Sequence, residues 1–328
     1  MVIGFTGARG FIGSYLLRYI ASTHADPTRV LLRSVRTGEE FGKAEIVCGD
    51  LLSPVDCARF VDGLDTIYYL AHCNTPLNSD HDRPNDAMLN MIPLLNLLQA
   101  VQARNTKPHL VYFSSGGAIY GRRADRNPWR ETDPCAPSSS YGIQKLAAEH
   151  YLRVAAEAGD LTCAVLRVSN AYGTLLSRQR MQGLIGVAVN NILHGAPVRI
   201  FGNTENVRDY IHLDDICTIA GKAADRREGF TILNVGSGIG HSVGEVLNII
   251  RRCANVPVQI ETVQDPECGK RLPDWAVLDI AKARELYGWS PLVDLAAGIR
   301  AMFDASGEQT ELRSATASGI PGGGPMGS

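Results

Sequence analysis

Val2-Ile3-Gly4-Phe5-Thr6-Gly7-Ala8-Arg9-Gly10-Phe11-Ile12-Gly13 opens the chain. A short apolar run of strand type meets a turn whose glycines, Gly7, Gly10 and Gly13, are spaced G-x-x-G-x-x-G. From Phe11 to Ala21 the apolar residues then recur with helical period. Glycines permit a tight turn and let the backbone approach a pyrophosphate, whose charge is favoured at a helix N-terminus. The pattern carries meaning because it sits between a strand and a helix at the head of a βαβ unit. Outward from it, strand-type runs at Arg29–Leu32, Ala44–Cys48, Thr66–Leu70, Leu110–Ser114 and Thr162–Val168 accompany helical stretches near Asn85–Ala103 and Tyr141–Ala158. This alternation predicts an α/β fold, a Rossmann-type doubly wound parallel sheet with helices on both faces.

Past residue 170 the rhythm loosens. Strand-type runs at Val198–Phe201 and Phe230–Val235 mix with helical ones near Gln179–His194, Asp214–Ala224 and Val243–Ala254. The expected organisation is a dinucleotide-binding domain over 1–170 and a smaller mixed α/β substrate lobe over 171–303. Their boundary is soft, with room for segments to cross back. A Gly-, Pro- and Ser-rich tail over 304–328 has the composition of a disordered segment. A net charge of -2 does not imply a nucleic-acid surface. The eight cysteines form no C-x-x-C pair, so reduced thiols and no metal site are expected. With no basic leader before the first strand and no bilayer-length apolar run, a cytoplasmic location without membrane insertion is expected.

Three sites carry candidate chemistry. Tyr141 and Lys145, four residues apart, share one face of a helix. A free phenol has a pKa near ~10; a neighbouring ammonium favours the phenolate, and the pair can then take a proton from a sugar or alcohol hydroxyl. Arg33 and Arg36 end the second strand in a run without an acid, which leans towards NADP(H) over NAD(H); the other reading is guanidiniums that are solvated or stacked on adenine. Asp50, in Gly49-Asp50-Leu51, either accepts from the adenine amino group or caps the helix near Pro54.

An ordered set of motifs resembles the extended short-chain dehydrogenase/reductase family, and within it the nucleotide-sugar epimerases and dehydratases. They are the glycine turn, Gly49-Asp50-Leu51, Tyr69-Leu70-Ala71-His72, Phe113-Ser114-Ser115-Gly116-Gly117-Ala118-Ile119-Tyr120-Gly121, the Tyr141/Lys145 pair, Leu166 to Gly173, Val207 to Asp215 and Asn234 to Gly238. The resemblance runs from Met1 to about Pro291. It implies NAD(P) bound by Gly7, Gly10, Phe11, Ile12, Gly13, Arg33, Arg36, Asp50, Leu51, Leu70, Ala71, Asn90, Ser114, Tyr141 and Lys145. It implies Tyr141 as the base and Lys145 as holder of the nicotinamide ribose. Asn170, Arg208 and Arg271 would meet the diphosphate of a nucleotide-sugar substrate, since an arginine fork suits phosphate. Each has a structural alternative, such as a turn cap for Asn170 or an ion pair with Asp209 for Arg208. His212 reads as structural, and Asp214 and Asp215 as helix-capping acids. A homodimer paired through the helices near Asn85–Ala103 and Tyr141–Ala158 would be in keeping with such enzymes.

The chain departs from that pattern at one catalytic position. The family's Ser or Thr, five residues before Gly121 and 25 before Tyr141, falls on Gly116. Ser115 is the expected substitute, with Ser139 and Ser140 as further candidates. The Asp-Glu pair of the dehydratases falls on Gly117 and Ala118, and so does the Glu of the decarboxylating relatives, on Ala118; neither side chain can move a proton. What remains is a 4-epimerase acting through a transient 4-keto sugar, or an NADPH-dependent reductase of such a ketone. Val198 to His212 is very similar to UDP-galactose 4-epimerases and favours the first. Gly116 also keeps open an inactive cofactor-binding sensor or scaffold.

Overall fold

The computed structural model describes residues 1–104, 107–180, 182–254, 256–263 and 273–305. In chain order the strands are β1 (Ile3–Thr6), β2 (Thr28–Leu32), β3 (Glu45–Cys48), β4 (Thr66–Tyr69), β5 (His109–Ser115), β6 (Thr162–Val168), β7 (Asn170–Tyr172), β8 (Val198–Phe201), β9 (Val207–His212), β10 (Phe230–Val235), β11 (Gly240–Ser242), β12 (Ile260–Val263) and β13 (Trp275–Ala276). Helices α1 (Phe11–Thr23), α2 (Pro54–Val61), α3 (Arg83–Gln102), α4 (Ser140–Glu157), α5 (Leu184–Leu193), α6 (Leu213–Asp225), α7 (Val243–Cys253) and α8 (Ala281–Tyr287) alternate with them.

Seven strands form one parallel sheet in the order β10-β6-β5-β4-β1-β2-β3, the doubly wound arrangement expected. Its central strands are buried on both faces, which is why they read as unbroken apolar runs. In β5, Leu110 and Tyr112 join the core under α2, α3 and α4, while Val111 and Phe113 join the core under α1 and α6. A third core, built from α5, α7, β8 and the segment 295–305, fills the smaller lobe. There β9 is the hub, parallel to β7 and β13 and antiparallel to β11.

Residues 213–235 return to the main sheet, for β10 pairs with β6 over its full length and α6 packs on α1. A local pattern specifies a strand but not the sheet it joins. The helix expected from Gln179 begins at Leu184, because Gly183 sits at φ 88 and ends the preceding turn. The tail expected to be disordered lies outside the described residues beyond Ala305. Among the described residues no helix is long and apolar enough to cross a membrane.

Candidate active site

The carboxyl ends of β1, β2 and β4 border a cavity of about 330 Å³ lined by Gly7, Arg9, Gly10, Leu32, Arg33, Asp50, Leu51, Leu70, Ala71, His72 and Cys73, among others. This is where ligands bind in open α/β sheets. Gly7 has φ 73, and a Cβ there would lie 2.6 Å from the Ala71 nitrogen. At Gly13 a Cβ would lie 2.3 Å from the Gly7 carbonyl oxygen. Side chains at these two positions would break the turn. The N-cap of α1, Gly10, offers no side-chain bond, and the first turn carries no acid, so its leading amides are left without a side-chain partner, as a pyrophosphate site requires. Phe11 and Ile12 anchor the start of α1 in the core. The cleft therefore fits a dinucleotide.

Asp50 lines that cleft and does not cap α2. Its Oδ1 accepts from Leu52 N at 2.9 Å, and the cap is Ser53, whose Oγ accepts from Asp56 N at 3.3 Å. Arg33 lines the cleft, whereas Arg36 lies outside the lining. Arg9, which the motif reading passed over, stands at the mouth and donates from Nε to Glu39 Oε1 at 2.6 Å. That guanidinium holds the Glu39 carboxyl down to about 2. So an acid does reach this rim, brought by the loop after β2, but it is engaged by Arg9. Asn90 secures the inner wall, its Oδ1 accepting from Cys73 N at 2.8 Å.

Tyr141 lies at the start of α4, beside the end of β5. Ser139 caps that helix, its Oγ accepting from Gly142 N at 3.2 Å, and Ser140 Oγ donates to Asp86 at 2.8 Å. Both alternative hydroxyls are thus committed to holding the helix. Ser115, at the end of β5, is the hydroxyl that acts on the Tyr141 phenol, pulling its pKa down. Lys145 is 4% exposed. Its Nζ donates to the Phe113 carbonyl at 2.8 Å and lies 5.8 Å from the Tyr141 ring centroid. Burial pushes its pKa down to about 7 against an opposing pull from Glu149.

The expectation that Lys145 lowers the Tyr141 pKa is not what this arrangement delivers. Burial raises the phenol, and the Ser115 hydrogen bond is what opposes it. Loss of hydration outweighs a cation already bonded to a carbonyl. Ser114 is also turned from its expected role, for its Oγ donates to Glu149 at 2.5 Å inside the protein. His72 was missed as part of the site. Its ring meets Tyr141 edge to face at 4.7 Å, and burial together with Lys145 pushes its pKa down to about 2, so it stays neutral.

Gly116 has a packing reason. A Cβ there would lie 2.5 Å from Leu278 Cδ1 and 3.1 Å from the Arg167 carbonyl oxygen. The family's hydroxyl position therefore faces the core of this protein, and Ser115 is the residue beside the base. Gly116→Ser is expected to lose about 1–3 kcal/mol of stability by overpacking and to gain no activity; urea unfolding with parallel turnover assays reads both.

In the smaller lobe Asn170 and Arg208 lie on the adjacent strands β7 and β9. Asn170 Nδ2 donates to the Asp209 carbonyl at 3.0 Å, and Arg208 Nη1 to the Val207 carbonyl at 2.8 Å. Asp209 does not pair with Arg208; its buried carboxylate accepts from Ser237 N at 2.7 Å and from the Ser169 hydroxyl at 3.2 Å. His212 caps α6, Nδ1 accepting from Asp214 N at 3.2 Å. Asp215 instead accepts from Leu292 N and Val293 N at 2.8 and 3.1 Å. Arg271 lies outside the described residues.

Residues 3–236 match the model of the NAD dependent epimerase/dehydratase family. The chain belongs to this family. Among curated relatives, a UDP-glucose 4-epimerase of Mycolicibacterium smegmatis is 32% identical over 305 residues, spanning 90% of this chain and 95% of that protein. A dTDP-4-dehydro-6-deoxyglucose reductase of Escherichia coli is 29% identical over 236 residues, 72% of this chain and 73% of that one. Among solved structures, the UDP-glucose 4-epimerase of Thermotoga maritima with UDP-glucose superposes with a TM-score of 0.84 at 26% identity, covering 94% of this chain and all of that one. The UDP-glucose 4-epimerase of Thermus thermophilus in complex with NAD gives 0.83 at 28%, covering 93% and 98%. This family member is thus an NAD(P)-dependent enzyme of the nucleotide-sugar epimerase and ketoreductase type, as the motifs implied.

Proposed function

We propose that this enzyme interconverts the C4 epimers of a nucleoside-diphosphate hexose. This reading is supported by Tyr141, whose ring stands against His72 of the cleft lining with Ser115 acting on its phenol, and by the lack of a proton-bearing side chain at Gly117 or Ala118. Bound nicotinamide supplies the chemistry of taking hydride from C4 and returning it to the opposite face. Tyr141 exchanges a proton with the sugar O4, Ser115 fixes that oxygen and the phenol, and Lys145 holds the ribose side of the cleft. Asn170, Arg208 and Arg271 hold the diphosphate. Glycine and alanine at 117 and 118 leave no acid–base pair for dehydration. Incubation with UDP-glucose and no added cofactor is expected to yield UDP-galactose, followed by chromatography, and nicotinamide is expected to stay with the desalted protein. Turnover of a 4-keto nucleotide sugar only with added NADPH would instead establish the reductase.

The cationic cleft mouth supports the finer cofactor reading. With Glu39 engaged by Arg9, Arg33 in the cleft lining remains to favour a 2′-phosphate, and NADP(H) binds at least as well as NAD(H). Arg33→Ala is expected to weaken NADPH about tenfold, as for the loss of a charge-assisted bond, and NADH far less. Fluorescence titration with the two coenzymes separates them, and equal weakening would remove phosphate selection from Arg33. We further propose a homodimer paired through α3 and α4, on which Met88, Ile92, Ile143, Tyr151 and Val154 are exposed; sedimentation reads it directly.

A further inference from the structure

Asp86, in the first turn of α3, is 1% exposed, and among the described residues no arginine or lysine bonds to it. Its carboxylate instead gathers neutral donors from three segments. Asn90 Nδ2, one turn along α3, donates at 2.9 Å. Ser140 Oγ, at the start of α4, donates at 2.8 Å, and Gln144 Nε2 joins it from the next turn. Asn74 Nδ2 donates from the loop after β4. A carboxylate offers about four acceptor sites and no donor, so this set saturates it. Two of these donors lead to the site. Asn90 holds Cys73 N in the cleft wall, and Ser140 precedes Tyr141. The same loop completes the clamp, with Ser79 Oγ accepting from Tyr141 N at 3.0 Å and Asp80 Oδ1 from Ser140 N at 3.3 Å.

We propose that Asp86 is a positioning residue that fixes the cofactor wall at Cys73 and the start of the Tyr141 helix in one geometry. It touches no reacting atom; it acts through Asn90 and Ser140. Only the turnover part of its test rests on the epimerase reading, because the cofactor part does not. Asparagine at 86 keeps the size but turns an amine towards groups that all donate, so at least one buried donor loses its acceptor.

Asp86→Asn in the full-length protein is expected to raise the NADH dissociation constant about fivefold or more, and to lower kcat for UDP-hexose interconversion about tenfold with a smaller change in KM, as for a displaced catalytic group. Asp215→Asn is the control. It changes a different buried carboxylate, one that accepts from backbone amides, on α6 at the opposite face of the sheet, and is expected to lower stability without moving the NADH constant. Unchanged NADH binding in Asp86→Asn, or the same shift in both variants, overturns the positioning role. Weakened NADH binding in Asp86→Asn alone, with a wild type that interconverts no UDP-hexose, keeps that role and overturns the reaction. If Asp86→Asn does not fold, Ser140→Ala, which removes one donor, is expected to lower kcat in the same direction by about threefold at unchanged KM, and a fully active Ser140→Ala counts against the proposal.

Discussion

Tyr141→Phe is expected to lower kcat by about 10²–10⁴-fold, the usual worth of a positioned acid–base group, with little change in KM for the nucleotide sugar. The ring stays, so its contact with His72 stays, and what is lost is the hydroxyl on which Ser115 acts. The loss falls on kcat because the phenol oxygen serves the proton transfer and not the binding of the nucleotide. A second consequence concerns pH. Burial raises the phenol above its ordinary value, so the active phenolate grows as pH rises, and the wild-type rate should climb on the alkaline side until stability fails. Residual activity in Tyr141→Phe should lose that slope. A rate within a few-fold of wild type, or an unchanged slope, would move the proton to another group.

The placement of Tyr141 was legible in the chain because the four-residue spacing to Lys145 fixes one helix face, and because a glycine turn after the first strand fixes where a dinucleotide lies. The cleft residues Gly7, Asp50, Leu70 and Ala71 follow from the same topology. What stayed hidden is long-range. Nothing local to Phe230–Val235 says that it extends the main sheet beyond β6. Ser114 reads like a cleft hydroxyl until Glu149, 35 residues on, is seen to accept its proton. Gly116 reads as a lost catalytic group until Leu278 is found occupying the space. Asp86 reads as a first-turn acid favoured by the helix dipole, and only the packing of α4 on α3 surrounds it with donors. His72 closes a motif, yet its contact with Tyr141 depends on how the loop after β4 turns.

Arg167→Met carries the largest expected effect on stability. Arg167 and Glu149 are 4% and 2% exposed and pair at 2.6 Å. Arg167 Nη1 also donates to the Tyr120 hydroxyl at 2.9 Å, which donates in turn to Asn234 Oδ1 at 2.6 Å. A buried pair owes little net stability to its own attraction, since both ions lost their water. Breaking it differs, because methionine leaves the buried Glu149 carboxyl without its arginine, with Ser114 as its remaining donor among the described residues. The expected cost is about 3–5 kcal/mol, read as a lower urea midpoint at unchanged m-value. Lys145 sits one turn from Glu149 and gains the strongest remaining claim on that carboxylate, so Arg167→Met should also draw its Nζ away from the Phe113 carbonyl and slow turnover. Arg167→Met with Glu149→Leu should recover much of the lost stability, because no uncompensated charge remains. The double variant should not regain full activity, since Lys145 has then lost the carboxylate that favours its charged form. If Arg167→Met alone costs under about 1 kcal/mol, the range of exposed pairs, then water reaches Glu149 and the site beneath Tyr141 is wetter than its burial implies.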